Sequence, residues 1–100
     1  MYGTVANARV KPGHIDQLQS VMAEWERDFG GKDVGEVASL VYRLDADPNS
    51  IILVAAFTDK ATYVKNADSP EQDKWFQRLR EHLEADPEWN DGEIVHSAGF

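Results

Sequence analysis

The sequence predicts an α+β domain, an antiparallel four-stranded sheet covered by helices on one face, and three observations lead there. Strand-like and helix-like patterns follow one another in the order β-α-β-β-α-α-β. Turn chemistry at Lys11-Pro12-Gly13, Asp47-Pro48-Asn49 and Ser69-Pro70 stands at the joints. The longest apolar run, Ile51 to Phe57, is strand length and far short of a membrane span. Together these give a ferredoxin-like plan in a single domain of 100 residues. A sheet covered on one face leaves the other to be covered, and a second copy of the chain is the expected cover.

Tyr2 to Val10, rich in small and branched residues, reads as the first strand, and Lys11-Pro12-Gly13 stops it. From His14, the apolar residues Ile15, Leu18, Val21, Met22, Trp25 and Phe29 recur at steps of three and four, which puts them on one helical face. Gly30-Gly31 should end that helix. Val37 to Leu44 reads as the second strand and Ile51 to Phe57 as the third. The unbroken apolar run of the third predicts burial on both faces, one against this chain's helices and one against a partner sheet.

Asp59 or Thr58 caps a short helix through about Ala67, and Ser69-Pro70-Glu71-Gln72 is a capping box with proline at the first helical position. The helix that follows carries Trp75, Phe76, Leu79 and Leu83 and closes at Asp86-Pro87. Glu93 to Phe100 reads as the last strand, with Ile94, His96, Ala98 and Phe100 sharing one face.

Composition removes several classes of function. A hydrophobic content of 42% argues a folded globule. The formal charge of −8, from 18 acidic and 10 basic residues, repels a phosphate backbone. The sheet also lacks the aromatic pattern of an RNA-recognition domain with the same strand and helix order, so no nucleic-acid partner is expected. Zero cysteines exclude disulfides, a thiol nucleophile and thiolate metal sites. The Met-Tyr-Gly-Thr-Val-Ala-Asn opening lacks the regions of a secretory signal, and a cytoplasmic chain with no membrane partner is the expectation.

The acidic stretch from Glu81 to Glu93 reads as a solvated loop pinned by Trp89. As a calcium loop it fails, because Asp91 stands where the turn glycine belongs and Ser97 where the bidentate glutamate belongs. His14, His82 and His96 have no metal-ligand spacing, and no phosphate loop, dinucleotide fingerprint or Gly-x-Ser-x-Gly occurs. No metal or cofactor is expected.

The strand that runs into Lys11-Pro12-Gly13-His14, the Tyr42-Arg43-Leu44-Asp45 to Asp47-Pro48-Asn49 hairpin, and Thr58-Asp59-Lys60-Ala61 followed by Asp68-Ser69-Pro70 resemble the antibiotic biosynthesis monooxygenase superfamily. The resemblance covers nearly the whole chain. It implies a dimeric α+β barrel in which two four-stranded sheets face one another. It also implies a cofactor-independent oxygenase of quinols or polyketide phenols, or a haem-degrading enzyme. The haem-degrading branch resembles this chain at Asn7. It departs from it where that branch carries a tryptophan and a histidine, positions that fall on Asn66 and Phe76, so the axial ligand for haem iron is missing.

A cofactor-free oxygenase needs a dry pocket, an acceptor for a phenolic proton and donors for the developing anion. The residues here that fit are His96 and Asn7 as catalytic groups, with Tyr63, Asn66, Arg43, Trp75 and Phe76 around the substrate. Histidine changes charge near neutral pH, and His96 lies between Ile94 and Ala98 as a base or as a structural histidine. Asn7 interrupts a strand, where asparagine serves a pocket or a local backbone hydrogen bond. Tyr63 and Asn66 share a helical face. Trp75 and Phe76 are adjacent and should point apart, one of them into the core. Arg43 either reaches the substrate or lies along the sheet edge. The expected function is oxidation of a small aromatic or quinol; the alternative is a dimeric barrel that only binds a small ligand. They differ in whether these residues surround a cavity.

Overall fold

The structure, a computed structural model, describes residues 1–29 and 34–99; the side chain of Phe29, the Gly30-Gly31 helix stop and Phe100 lie outside that description. Its elements are β1 (Tyr2–Arg9), α1 (Ile15–Phe29), β2 (Glu36–Arg43), β3 (Ser50–Phe57), α2 (Lys60–Ala67), α3 (Pro70–Arg80) and β4 (Glu88–Glu93). The four strands form one sheet in the order β2-β3-β1-β4, every pair antiparallel. This is the ferredoxin-like α+β arrangement that the pattern order predicts. Among the described residues no helix is long and apolar enough to cross a membrane.

Register assigns the two sheet faces. Thr4, Ala6 and Ala8 of β1 pair with Ala55, Leu53 and Ile51 of β3, and this is the face the helices cover. Leu18 and Val21 of α1 and Leu79 of α3 complete the core on that side, each no more than 5% exposed. Small residues on β1 let the helices approach, and the branched residues of β3 fill the space between. The opposite face carries Val5, Val54 and Leu40, aligned across three strands, with Ile52 and Tyr42 one step along. Val5 and Leu40 are each 45% exposed and Tyr42 is 52% exposed. β3 is thus central and buried on its helix side, while its other side is only half covered by this chain.

Helix ends follow local chemistry. The Asp59 carboxylate accepts from Thr62 N–H at 2.7 Å and caps α2. The Ser69 hydroxyl accepts from Gln72 N–H at 3.0 Å and caps α3 beside Pro70. Gly13, at φ 81°, makes the turn into α1.

Two boundaries differ from the sequence expectation by more than one residue. α3 stops at Arg80, not at Asp86-Pro87; Leu83 leaves the helix, bridges to Val10 just after β1 and is 0% exposed. The last strand is Glu88–Glu93, not Glu93–Phe100, so most of the acidic stretch read as a loop lies in or beside a strand. β4 is an edge strand paired only with β1, and charged side chains on an edge discourage pairing with another chain. Those charges hide the strand pattern. Beyond it, Ile94 N–H still bonds Met1 C=O at 2.9 Å, and Val95 is 89% exposed. His14 and His82, far apart in sequence, meet with their Nδ1 atoms 3.1 Å apart, so one ring donates and the other accepts across the turns that flank α1 and α3.

Candidate functional site

Between the covered sheet face and the three helices the fold leaves a cavity of about 260 Å³. Its walls are aromatic: Trp25 from α1, Phe57 from β3, Trp75 and Phe76 from α3, and Trp89 from β4. Trp25 and Trp75 lie against each other with ring centroids 5.3 Å apart, and Phe76 meets Trp89 at 5.9 Å. Trp75 Nε1–H donates to Val21 C=O at 2.9 Å, which fixes the ring across the α1–α3 seam. Adjacent on α3, Trp75 and Phe76 straddle its inner face, so both line the cavity and neither is spent wholly on the core.

The polar groups are few and specific. Tyr63 Oη–H donates to Asp91 Oδ1 at 2.9 Å, and burial together with that acceptor pushes the phenol up to about 12. Tyr63 therefore keeps its proton. Asn66 is only 9% exposed, and among the described residues neither its buried Oδ1 nor the buried Oε1 of Gln72 has a hydrogen-bond partner. Both residues line the cavity. Buried polar atoms are rarely left unpaired, so these two acceptors, on residues that line an aromatic cavity, mark its polar side. Glu36, at the start of β2, lines the same space; burial first, then a hydrogen bond with Glu26, pushes its carboxyl up to about 8.

No protein-family model matches the chain, and no curated protein is similar to it in sequence. Solved structures are. A crystal structure titled antibiotic biosynthesis monooxygenase shares 15% identity at a TM-score of 0.75, over 96% of this chain and all of its own. This chain has the fold of the antibiotic biosynthesis monooxygenases. Rv0793 from Mycobacterium tuberculosis is similar over 98% of each chain, at 12% identity and a TM-score of 0.77. A candidate antibiotic biosynthesis monooxygenase from Caulobacter crescentus CB15 reaches a TM-score of 0.81 at 10% identity, over 95% of this chain and 90% of its own. At these identities the likeness is one of fold.

Within the monooxygenase fold, Tyr63, Asn66, Trp75 and Phe76 come together around the cavity. The other three residues singled out in the sequence stand elsewhere. Asn7 is exposed, and its register with Ile52 puts it on the helix-free face of the sheet. Arg43 closes the β2–β3 hairpin, Nε–H donating to Pro48 C=O at 2.9 Å. His96 is exposed in the segment after β4. Strand parity separates Asn7 from the cavity, and the earlier end of the last strand removes His96 from the sheet. Sequence reading missed Glu36, Gln72 and the place of Trp25 and Trp89 in the cavity wall. Glu36 fell just outside the expected second strand, and Gln72 was legible only as part of a capping box.

Proposed function

We propose that this chain binds a small hydroxylated aromatic in the cavity and oxidises it with dioxygen, without a cofactor. The observation that carries the binding half is the pair of unpartnered acceptors, Asn66 Oδ1 and Gln72 Oε1, set among aromatic walls. The likeness in fold to an antibiotic biosynthesis monooxygenase supports the oxidation half. Trp75, Phe76 and Trp25 stack on the ring, and Asn66, Gln72 and Tyr63 meet its hydroxyl groups. Loss of a hydroxyl proton makes the ring electron-rich enough to reduce dioxygen. One oxygen atom enters the substrate as a carbonyl in place of two hydrogens, and the other leaves as water.

Oxygen-electrode traces with 1,4-dihydroxynaphthalene test this. The protein is expected to raise oxygen consumption saturably above the uncatalysed rate, and Ala55→Phe, whose ring would occupy the cavity, is expected to lose the increase. Binding without added oxygen uptake would leave a ligand-binding barrel.

The same reading includes a homodimer joined through the helix-free face. An aligned apolar row of Val5, Val54 and Leu40, its outer members Val5 and Leu40 half exposed in the single chain, supports it. Val54→Asp is expected to turn the dimer into a folded monomer in sedimentation at micromolar concentration; a dimer that survives the change removes this face from the interface. Leu53→Asp is no substitute, because Leu53 is 7% exposed in the chain's own core and its replacement unfolds the protein.

A further inference from the structure

Two carboxyl groups border the cavity, Glu36 and Asp73. Asp73 is exposed in the first turn of α3. Glu36 is half-buried. It pairs with Phe57 at the start of β2, and that register turns its side chain toward the helices. The backbone that carries it is pinned. Gly35 sits at φ 80°, where a side chain would collide with Thr62 of α2, and its carbonyl accepts from Thr58 N–H at 3.0 Å. A carboxylate placed by a pinned backbone at an aromatic cavity wall has the position a proton acceptor needs.

We propose that Glu36 is the proton acceptor of this cavity, its carboxylate taking the hydroxyl proton of a neutral phenol bound against the aromatic wall. The proposal rests on reading the cavity as a site for hydroxylated aromatics. In the step the ligand O–H bond breaks, an O–H bond forms on Glu36, and a phenolate and a neutral carboxyl result. The charge inside the cavity is unchanged, which spares a poorly solvated site the cost of burying a second ion. Burial and the Glu26 hydrogen bond raise the proton affinity of Glu36 toward that of a phenol, the matching that proton transfer favours. Glu26 on α1 stands beside Glu36, and the other titratable groups that line the cavity are Tyr63 on α2, whose proton Asp91 holds, and Asp73 on α3. Among the described lining residues none is basic.

Calorimetric titration of the full chain with 4-methylphenol and with 4-methylanisole, which has the same shape but no proton to give, tests the assignment. At pH 9 the wild-type protein is expected to prefer the phenol about tenfold, the size of one hydrogen bond to a charged acceptor. At pH 6.5, with Glu36 protonated, the preference should shrink to about threefold or less. Glu36→Gln should show the small preference at both pH values with its methylanisole affinity unchanged, and Glu36→Asp should recover part of the pH 9 preference. A tenfold preference that persists at pH 9 in Glu36→Gln overturns the assignment, as does a wild-type protein that binds methylanisole but shows no preference. Wild-type protein that binds neither compound overturns the cavity reading itself, and the Glu36 role with it. Should Glu36→Gln fail to fold, Glu36→Asp carries the test, and a pH 9 preference equal to wild type overturns the proposal.

Discussion

Asn66→Leu is expected to melt higher than the wild-type protein and to bind hydroxylated aromatics worse. The Asn66 side chain is 9% exposed and its Oδ1 accepts no hydrogen bond among the described residues. Leaving a buried acceptor unpaired costs about 1–3 kcal/mol, and leucine of similar volume removes that cost while favouring the helix. A gain of about 1–2 kcal/mol corresponds to a rise in Tm of roughly 4–16 °C for a domain this small. Titration with 1,3-dihydroxybenzene should show affinity falling about tenfold, because a ligand hydroxyl then enters the cavity with no acceptor to meet it. The opposing signs are what distinguish a binding residue from a structural one. If the leucine variant melts lower, Asn66 has a partner within the folded protein, and the cavity is not built around a missing donor.

Leu83→Ala is expected to lose about 2–5 kcal/mol of unfolding free energy, read from the urea midpoint at constant slope. Leu83 is 0% exposed and belongs to the cluster of Ala8, Val10, Leu18, Ile51 and Leu79. It holds more than its own side chain. The Val10–Leu83 bridge is flanked by Lys11 N–H to His82 C=O at 2.9 Å and Glu84 N–H to Arg9 C=O at 2.9 Å, which fasten the turn after α3 to the end of β1. A residue on the exposed side of a helix, where continuation of α3 to Asp86 would leave room for relaxation, would lose far less. A loss under about 1 kcal/mol would mean the cluster closes over the alanine, and that this junction does not anchor β4. The surrounding ion pairs cannot compensate: Arg9 with Asp47 and with Glu84 are solvent-exposed contacts of small net effect.

Helix α1, the hairpin of β2 and β3, and the caps of α2 and α3 were legible because local chemistry decides them. The recurrence of Leu18, Val21, Met22 and Trp25 specifies a helix wherever it packs, and Ser69-Pro70 starts one in almost any surroundings. The fold class followed, since few arrangements bury those faces in that order. The last strand was not legible, because Glu88–Glu93 is held by pairing with β1 and not by an apolar pattern of its own. Its neighbours decide it.

The site divides in the same way. Tyr63 and Asn66 could be paired from their spacing on one helix, and the aromatic pair at Trp75 and Phe76 could be marked from composition. Asn7 and His96 stand on the helix-free face and beyond the last strand, placements that strand parity and the pairing of β4 decide. Glu36 is ordinary in sequence and becomes unusual only where Gly35 presses β2 against α2 and burial raises its carboxyl. The sequence by itself determined the elements, their order and the fold, because periodicity and turn residues act over a few neighbours. Only the tertiary structure decided which polar atoms share one cavity, because burial and the absence of a partner belong to the packed whole and to no residue alone.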